Sequence, residues 1–466
     1  MLENVYHVVL TITRDCNLHC AYCFEPDKRQ YRGEVMSLAC FQAFLKKWKS
    51  DREKNYAPPP QIEICFHGGE PTLVGRPTIQ KFIDQAKDVF GENTLRFSMQ
   101  SNGVLLDKEW TQFFDQNKIN IAVSLDGVIG RDNKHRKLNR KTISKIRLFL
   151  GTLAGAAGVL MVVTRQNIKS LYFNLIYFFI RYRIKNIRAS IMEFVSSEVE
   201  VKDELSGADI EKLYRNLLYK LTFFPAFREA GTMNVLKNFF AGYLYTREKN
   251  ENNDWPAFLC SAKFCASGNA IINLLPNGDL WACQRSLRLP KYKMGNIYDQ
   301  EPDLFGIISF RKMHELALGM AKDIRKKRCD VCYAADICDY GCRAFALLKT
   351  QEKHAIREGL ICACYKKLKQ HLCKDVYNHL FLHALLNEYP IKKEKKVIYI
   401  EIPERLNTTS GQYKTRRIRD YAIQGELSRT GYAKIFFDAK KLNKRNLFWA
   451  WWVTQKHKKN AKEITK

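Results

Sequence analysis

Cys16-Asn-Leu-His-Cys20-Ala-Tyr-Cys23 is the stretch on which the reading of this 466-residue chain turns. Its cysteines stand at C-x3-C-x2-C spacing. Three thiolates so placed can close on one iron–sulfur cluster and leave one iron without a protein ligand, whereas ferredoxin-type runs supply four cysteines. The next cysteine, Cys40, is too far along to join the same tight loop. A zinc knuckle is the alternative, and it would want a fourth Cys or His at short range. His19 lies inside the loop but is poorly placed to complete a tetrahedron. An open iron is a place for chemistry.

Directly before the loop lies Tyr6-His-Val-Val-Leu-Thr-Ile-Thr13, a β-rich run. Five more follow: Gln61-Ile-Glu-Ile-Cys-Phe66, Leu95-Arg-Phe-Ser-Met-Gln100, Asn120-Ile-Ala-Val-Ser-Leu125, Val159-Leu-Met-Val-Val163 and Asn186-Ile-Arg-Ala-Ser-Ile-Met192. Helix-like segments, such as 38–49, separate them, and this alternation predicts parallel βα units. Each later run ends in a polar signature: His67-Gly68-Gly69-Glu70-Pro71, Ser101-Asn102-Gly103, Asp126-Gly127, Thr164-Arg165-Gln166-Asn167, and Glu193. The carboxyl ends of strands are where βα barrels place their sites. The expected fold class is α/β, with a partial (β/α)6 TIM-like barrel over residues 1–200. A helical bridge over 201–255, a cysteine-rich domain over 256–375 and a basic C-terminal extension over 376–466 complete the expected organisation.

With the cysteine trio and the Gly68-Gly69-Glu70-Pro71 turn one βα unit later, the chain resembles the radical S-adenosylmethionine (SAM) superfamily. The resemblance implies that Cys16, Cys20 and Cys23 hold a 4Fe-4S cluster whose open iron binds the amino and carboxylate groups of SAM. It places SAM-binding positions at Tyr22, Gly68, Gly69, Glu70, Pro71, Ser101, Asn102, Ser124, Asp126 and Arg136. Glycine suits the second turn because a Cβ would hold the ligand off the backbone. Ser124 and Arg136 are implied to hold the SAM carboxylate, a task that fits an arginine fork. Arg131, Lys134, Lys137 and Arg140 read as a solvated basic loop, Cys40 and Cys65 as small buried hydrophobes, and His67 as either packed or placed near SAM.

Ten further cysteines fall between residues 260 and 373. Cys265, Gly278 and Cys283, then Cys329, Cys332, Cys338 and Cys342 at C-x2-C-x5-C-x3-C, then Cys362, Cys364 and Cys373, resemble the SPASM extension of peptide-modifying radical SAM enzymes. The resemblance implies two auxiliary clusters, one on Cys260, Cys265, Cys283 and Cys342, the other on Cys329, Cys332 and Cys338 with Cys362 or Cys364. On spacing alone, a zinc ribbon is the alternative for Cys329 to Cys342. Asn277-Gly278-Asp279 between apolar runs reads independently as a hairpin turn. In anaerobic sulfatase maturases of similar architecture an aspartate directly follows the third cysteine and acts as general base. Here Gln284 stands there, and an amide cannot take a proton at neutral pH; Glu193 is the substitute put forward.

The formal net charge is +29, of which +12 falls from Asn387 onward. Such a surface attracts acidic polypeptide, nucleic acid or anionic membrane. No nucleic-acid fold motif accompanies it, so nucleic acid is not the expected partner. The apolar run Leu171-Tyr-Phe-Asn-Leu-Ile-Tyr-Phe-Phe-Ile180 is too short to span a bilayer, and many cysteines without a signal-like start suggest metal ligands in a reducing cytoplasm. The function implied is a radical SAM maturase. Reductive cleavage of SAM gives a 5′-deoxyadenosyl radical that takes hydrogen from a residue of a peptide or protein, giving a cross-link, epimerisation or oxidation. Expected partners are that substrate, with an acidic leader, and reduced flavodoxin or ferredoxin as electron donor. The alternatives are a radical SAM enzyme acting on a small-molecule or cofactor precursor, and a basic iron–sulfur protein that binds nucleic acid.

Overall fold

The structure, a computed structural model, describes residues 7–23, 25, 31–55, 62–153, 156–184, 186–192, short stretches between 205 and 213, 267–268 and 271–307, together with the backbone of strands between 391 and 438. Glu193 and the cysteines at 260, 265, 329, 332, 338, 342, 362 and 364 lie outside the described residues.

Six strands alternate with five helices: β1 (His7–Thr13), α1 (Leu38–Asn55), β2 (Ile62–Gly68), α2 (Arg76–Phe90), β3 (Leu95–Ser101), α3 (Lys108–Gln116), β4 (Ile119–Ser124), α4 (Arg140–Thr152), β5 (Gly158–Val163), α5 (Leu171–Tyr182) and β6 (Asn186–Ile191). They pair in parallel in the order β6-β5-β4-β3-β2-β1. The expected α/β barrel architecture is therefore present, each strand within two residues of its sequence reading.

The side chains explain why. Strands alternate faces, and Val8, Leu10 and Ile12 of β1, Ile64 and Phe66 of β2, and Phe97 and Met99 of β3 join one core with Phe41, Phe44 and Trp48 of α1 and Phe82 of α2. Each large apolar side chain so withdrawn from water contributes about 1.5–3 kcal/mol. The opposite face carries His7, Thr11, Cys65, His67, Ser98 and Ser124, which that core does not include. Cys40 sits in the core as expected, and burial pushes its thiol up. Cys65 departs from the reading: it is only half-buried, on the polar face. Helices start where the sequence offers caps. Asp107 accepts from the Trp110 amide (3.0 Å) to open α3, and Asn139 from the Thr142 amide (2.8 Å) to open α4.

The sheet does not end at β1. Strands β7 (Ile271–Leu274), β8 (Asp279–Trp281) and β9 (Lys293–Asn296) extend it, β7 parallel to β1 and the next two antiparallel. The turn between β7 and β8 is the one read from Asn277-Gly278-Asp279, with Gly278 at φ 85°. Ile272 and Leu274 enter the same core as β1. Further along, β10 (Ile391–Glu394), β11 (Val397–Pro403), β12 (Ala422–Leu427) and β13 (Tyr432–Asp438) form a separate antiparallel sheet in the order β10-β11-β13-β12. Among the described residues, no helix is long and apolar enough to cross a membrane.

Candidate active site

The cysteine loop leaves β1 at Thr13, and its entry is tied down before the first thiol. Thr13 donates through Oγ1 to the Glu34 carbonyl (2.5 Å) and accepts from the Asp15 amide (3.0 Å). Asp15 accepts from the amides of Cys16 (2.7 Å) and Gly33 (2.9 Å). Arg14 pairs with Glu34 (2.5 Å) and lies over the Tyr31 ring.

The end of β2 closes on this entry. The Gly69 amide donates to the Thr13 carbonyl and the Glu70 amide to the Asp15 carbonyl, both at 2.9 Å. A Cβ on Gly68 would come within 2.0 Å of the Thr13 carbonyl oxygen, and one on Gly69 within 2.0 Å of the Asp15 carbonyl oxygen. Gly68 also has φ 131°. A close approach between two stretches of the chain itself thus already requires glycine at both positions.

Glu70 is buried and receives four donors. Oε1 accepts from the Thr72 amide (3.1 Å), the Thr72 hydroxyl (2.6 Å) and the Ser101 hydroxyl (2.8 Å), and Oε2 from the Asn102 amide (2.6 Å). Burial pushes its carboxyl up, against the pull of those bonds. The carboxylate thereby ties the end of β2, and the 3-10 turn Pro71–Val74 that it caps, to the end of β3. Both of its oxygens are occupied by the chain.

On the other side of the loop, the Ala21 amide donates to the His135 carbonyl (2.8 Å) and the Tyr22 hydroxyl to Asp126 Oδ2. Burial pushes the Tyr22 phenol well up, so it remains a donor. Asp126 follows the end of β4. Its Oδ1 accepts from the Val162 amide (2.9 Å) and faces Arg136 Nε at 3.0 Å, an ion pair without a hydrogen bond in line. Arg136 is 6% exposed and lies 5.6 Å from the Tyr22 ring centroid. Burial works against its charge, but Asp126, Tyr22 and Cys20 around it hold it as a cation. Ser124, at the end of β4, is buried. Of the lysines and arginines between 131 and 140, only Arg136 is buried; Arg131, Lys134, Lys137 and Arg140 are exposed as expected.

Sequence reasoning missed what supports this corner. Asn133 caps the Asp126 amide (2.9 Å) and donates to the Gly127 carbonyl (2.7 Å), and buried Asp132 accepts from Ser170 (2.6 Å) and Asn174 (2.8 Å). Asp132 and Asn133 close after Gly127 and Gly130 were the only local signal. His67 is buried, with Nδ1 accepting from the Gly68 amide (2.7 Å).

The thiols themselves are Cys16, buried, and Cys20 and Cys23, half-buried; none is in a disulfide. The Leu18 amide points at Cys16 Sγ (3.4 Å) and the Asn102 side-chain amide lies 3.9 Å from it. Among the described residues, no three His, Cys, Asp or Glu side chains converge as a ready-made metal group. The donor set nevertheless suits an iron–sulfur cluster. It offers three soft thiols, two N–H groups already aimed at one sulfur, and a cation set against the loop. Cys283 stands just past β8, its carbonyl accepting from Ser286 (2.6 Å). Arg288 then donates to the Glu25 carbonyl (3.1 Å), two residues beyond Cys23. Gly268, three residues after Cys265, donates to the Ala282 carbonyl (2.7 Å), next to Cys283.

Residues 10–159 match the family model of the radical SAM superfamily. Over those residues, a third of its length, the chain carries a radical SAM domain. The domain marks the chain as an enzyme, and the superfamily matched uses a 4Fe-4S cluster and SAM. The chain is 29% identical over 140 residues to the cysteine-type anaerobic sulfatase-maturating enzyme of Clostridium novyi, a match spanning 29% of this chain and only 36% of that enzyme. It is 25% identical over 354 residues to the serine-type anaerobic sulfatase-maturating enzyme of Bacteroides thetaiotaomicron, spanning 71% of this chain and 81% of that one. In three dimensions it resembles native anSMEcpe with bound AdoMet and Cp18Cys peptide, with a TM-score of 0.54 at 18% identity, over 78% of this chain and 99% of that one.

Proposed function

We infer that this radical SAM enzyme modifies a residue of a peptide or protein. The observation that carries the substrate class is the length of the match to a sulfatase-maturating enzyme, 354 residues, more than twice the 150 residues of the barrel's family match. Cys16, Cys20 and Cys23 would hold the cluster, and the segment 256–375, read as SPASM, two auxiliary clusters on the cysteines named above. When bound, the cluster and SAM supply a 5′-deoxyadenosyl radical that takes hydrogen from an unactivated carbon.

The chain's own residues bind and orient. Arg136, kept charged by Asp126 beside the Tyr22 ring, is the cation suited to the SAM carboxylate, with Ser124 at the neighbouring strand end. Tyr22 and Asp126 hold the loop against the β4 end rather than contact the ligand. Glu70, Ser101 and Pro71 act through the chain, since both Glu70 oxygens already receive chain donors. Gln284 after Cys283 takes no proton, so the reading stops short of sulfatase maturation, and Glu193 is the acid–base group put forward. An acidic leader suits the basic surface, and reduced flavodoxin or ferredoxin is the electron donor proposed.

The test is an intact-mass comparison of candidate peptides after anaerobic incubation with reconstituted enzyme, SAM and reductant in deuterated water. Loss of two hydrogens indicates a cross-link or oxidation, and gain of one deuterium an epimerisation. SAM cleavage with every peptide and protein unaltered, and a small molecule consumed instead, overturns the substrate class.

A further inference from the structure

Asn102, directly after β3, is held at three points. Its main-chain N–H donates to Glu70 Oε2 (2.6 Å), and its side-chain Oδ1 accepts from the Val104 amide (3.0 Å). Its Nδ2 donates to Asn17 Oδ1 (2.7 Å) and reaches Cys16 Sγ (3.9 Å). The bond from Val104 decides which end of the amide is which. Exchanging oxygen and nitrogen would set two N–H groups against each other at Val104 and leave an oxygen facing the sulfur. The donor therefore points at Cys16, alongside the Leu18 amide (3.4 Å).

An N–H aimed at a ligand sulfur draws electron density from it, favours the more negative reduced cluster and raises the reduction potential. We propose that Asn102 sets the reduction potential of the cluster held by Cys16, Cys20 and Cys23, and that Glu70 positions it for that task. Asn102 is a positioning residue: it acts through Cys16. This gives the two strand-end motifs one physical connection, from the carboxylate after the paired glycines, through the backbone of Asn102, to the first thiol. The inference rests on the cluster assignment and not on the identity of the substrate, so it can fail or stand without the peptide reading.

The experiment is an EPR-monitored redox titration of the reconstituted full-length enzyme, without substrate. Asn102→Leu keeps the side chain's bulk and removes the donor; Asn102→Asp keeps the Val104 bond and turns the donor into an acceptor. With iron content equal to wild type, both are expected to have a more negative midpoint, Asn102→Leu lowering the reduced-to-oxidised ratio at a fixed potential by about fivefold, the order expected of one ordinary hydrogen bond. An unchanged midpoint in a fully loaded variant overturns the proposal. Should neither variant retain iron, wild-type enzyme labelled with δ-15N-asparagine decides it. A nitrogen coupling in the pulsed EPR spectrum of the reduced cluster supports the contact, and its absence overturns it.

Discussion

Gly69 has no room for a methyl group: a Cβ there would stand 2.0 Å from the Asp15 carbonyl oxygen, 2.5 Å from its carbon and 2.6 Å from the Arg14 oxygen, all backbone. Backbone cannot swing aside as a flexible side chain can, so Gly69→Ala is expected to push the cysteine loop off the end of β2. Iron retained per chain after reconstitution should fall by tenfold or more, the scale seen when groups supporting metal ligands are lost; full loading would show that the loop yields. His7 offers a different kind of test. Burial opposes its charge, yet contacts with Cys65 and Glu63, the latter at 3.2 Å, push its imidazolium up to about 10. A folded-state value above the unfolded 6.5 means the pair's stabilisation is complete below pH 6.5 and is lost as pH rises towards 10. Glu63 is 39% exposed, so solvent screens the pair to about 1 kcal/mol. Urea melts of wild type and His7→Gln should therefore converge between pH 6.5 and 10, and a constant gap would remove the ion pair from the account.

The second strand neighbour of β1 comes from far away in sequence. β7 lies beside β1 in parallel register, His7 opposite Ile271 and Leu10 opposite Leu274, and Thr11 donates to Asn273 Oδ1 (2.9 Å) on the polar face. Ile272 is fully buried in the core that β1 shares. Ile272→Ala should cost about 2–5 kcal/mol, and because the strands share one core, amide exchange should quicken in β1 as well as in β7. Protection lost in β7 alone would show that the hairpin opens independently. This junction also marks how far the sequence could be read. Period-two runs ending in polar turns were visible because each strand hides one face, and the caps at Asp107 and Asn139 because they are local. The hairpin turn at Asn277-Gly278-Asp279 was equally local. Nothing local told β7 to join β1, since pairing across more than 260 residues leaves no periodic trace. The same holds at the site. The cysteines, the glycines and Arg136 were legible as types at a spacing, whereas the bonds from Ser101 to Glu70 and from Tyr22 to Asp126 depend on which strand ends meet.

Charge belongs to the molecule as a whole. With +29 over the chain and +12 in its last eighty residues, an acidic peptide meets an attractive field before it meets any pocket. The C-terminal sheet places Lys392 and Lys393 on β10, an edge strand in the order β10-β11-β13-β12, with Lys395 and Lys396 following. Lysines on an edge also discourage strand-to-strand aggregation, so their presence alone does not distinguish recognition from protection. Reversing all four to Glu in the full chain does. It lowers the net charge by eight units, from +29 to +21, without touching the cysteine loop or the strand ends that hold it. If the extension draws in an acidic leader, affinity for a leader-bearing peptide should fall by about tenfold at low salt, the lower end of the steering range. The difference should vanish near 1 M salt, where charges are screened beyond about 3 Å. Peptide-independent SAM cleavage should be unchanged at every salt concentration, because it depends only on the barrel. Equal affinity at low salt, or a difference that persists at high salt, would instead assign the lysines to the sheet's own solubility or folding, and the leader would have to be met by the barrel face or the cysteine-rich segment.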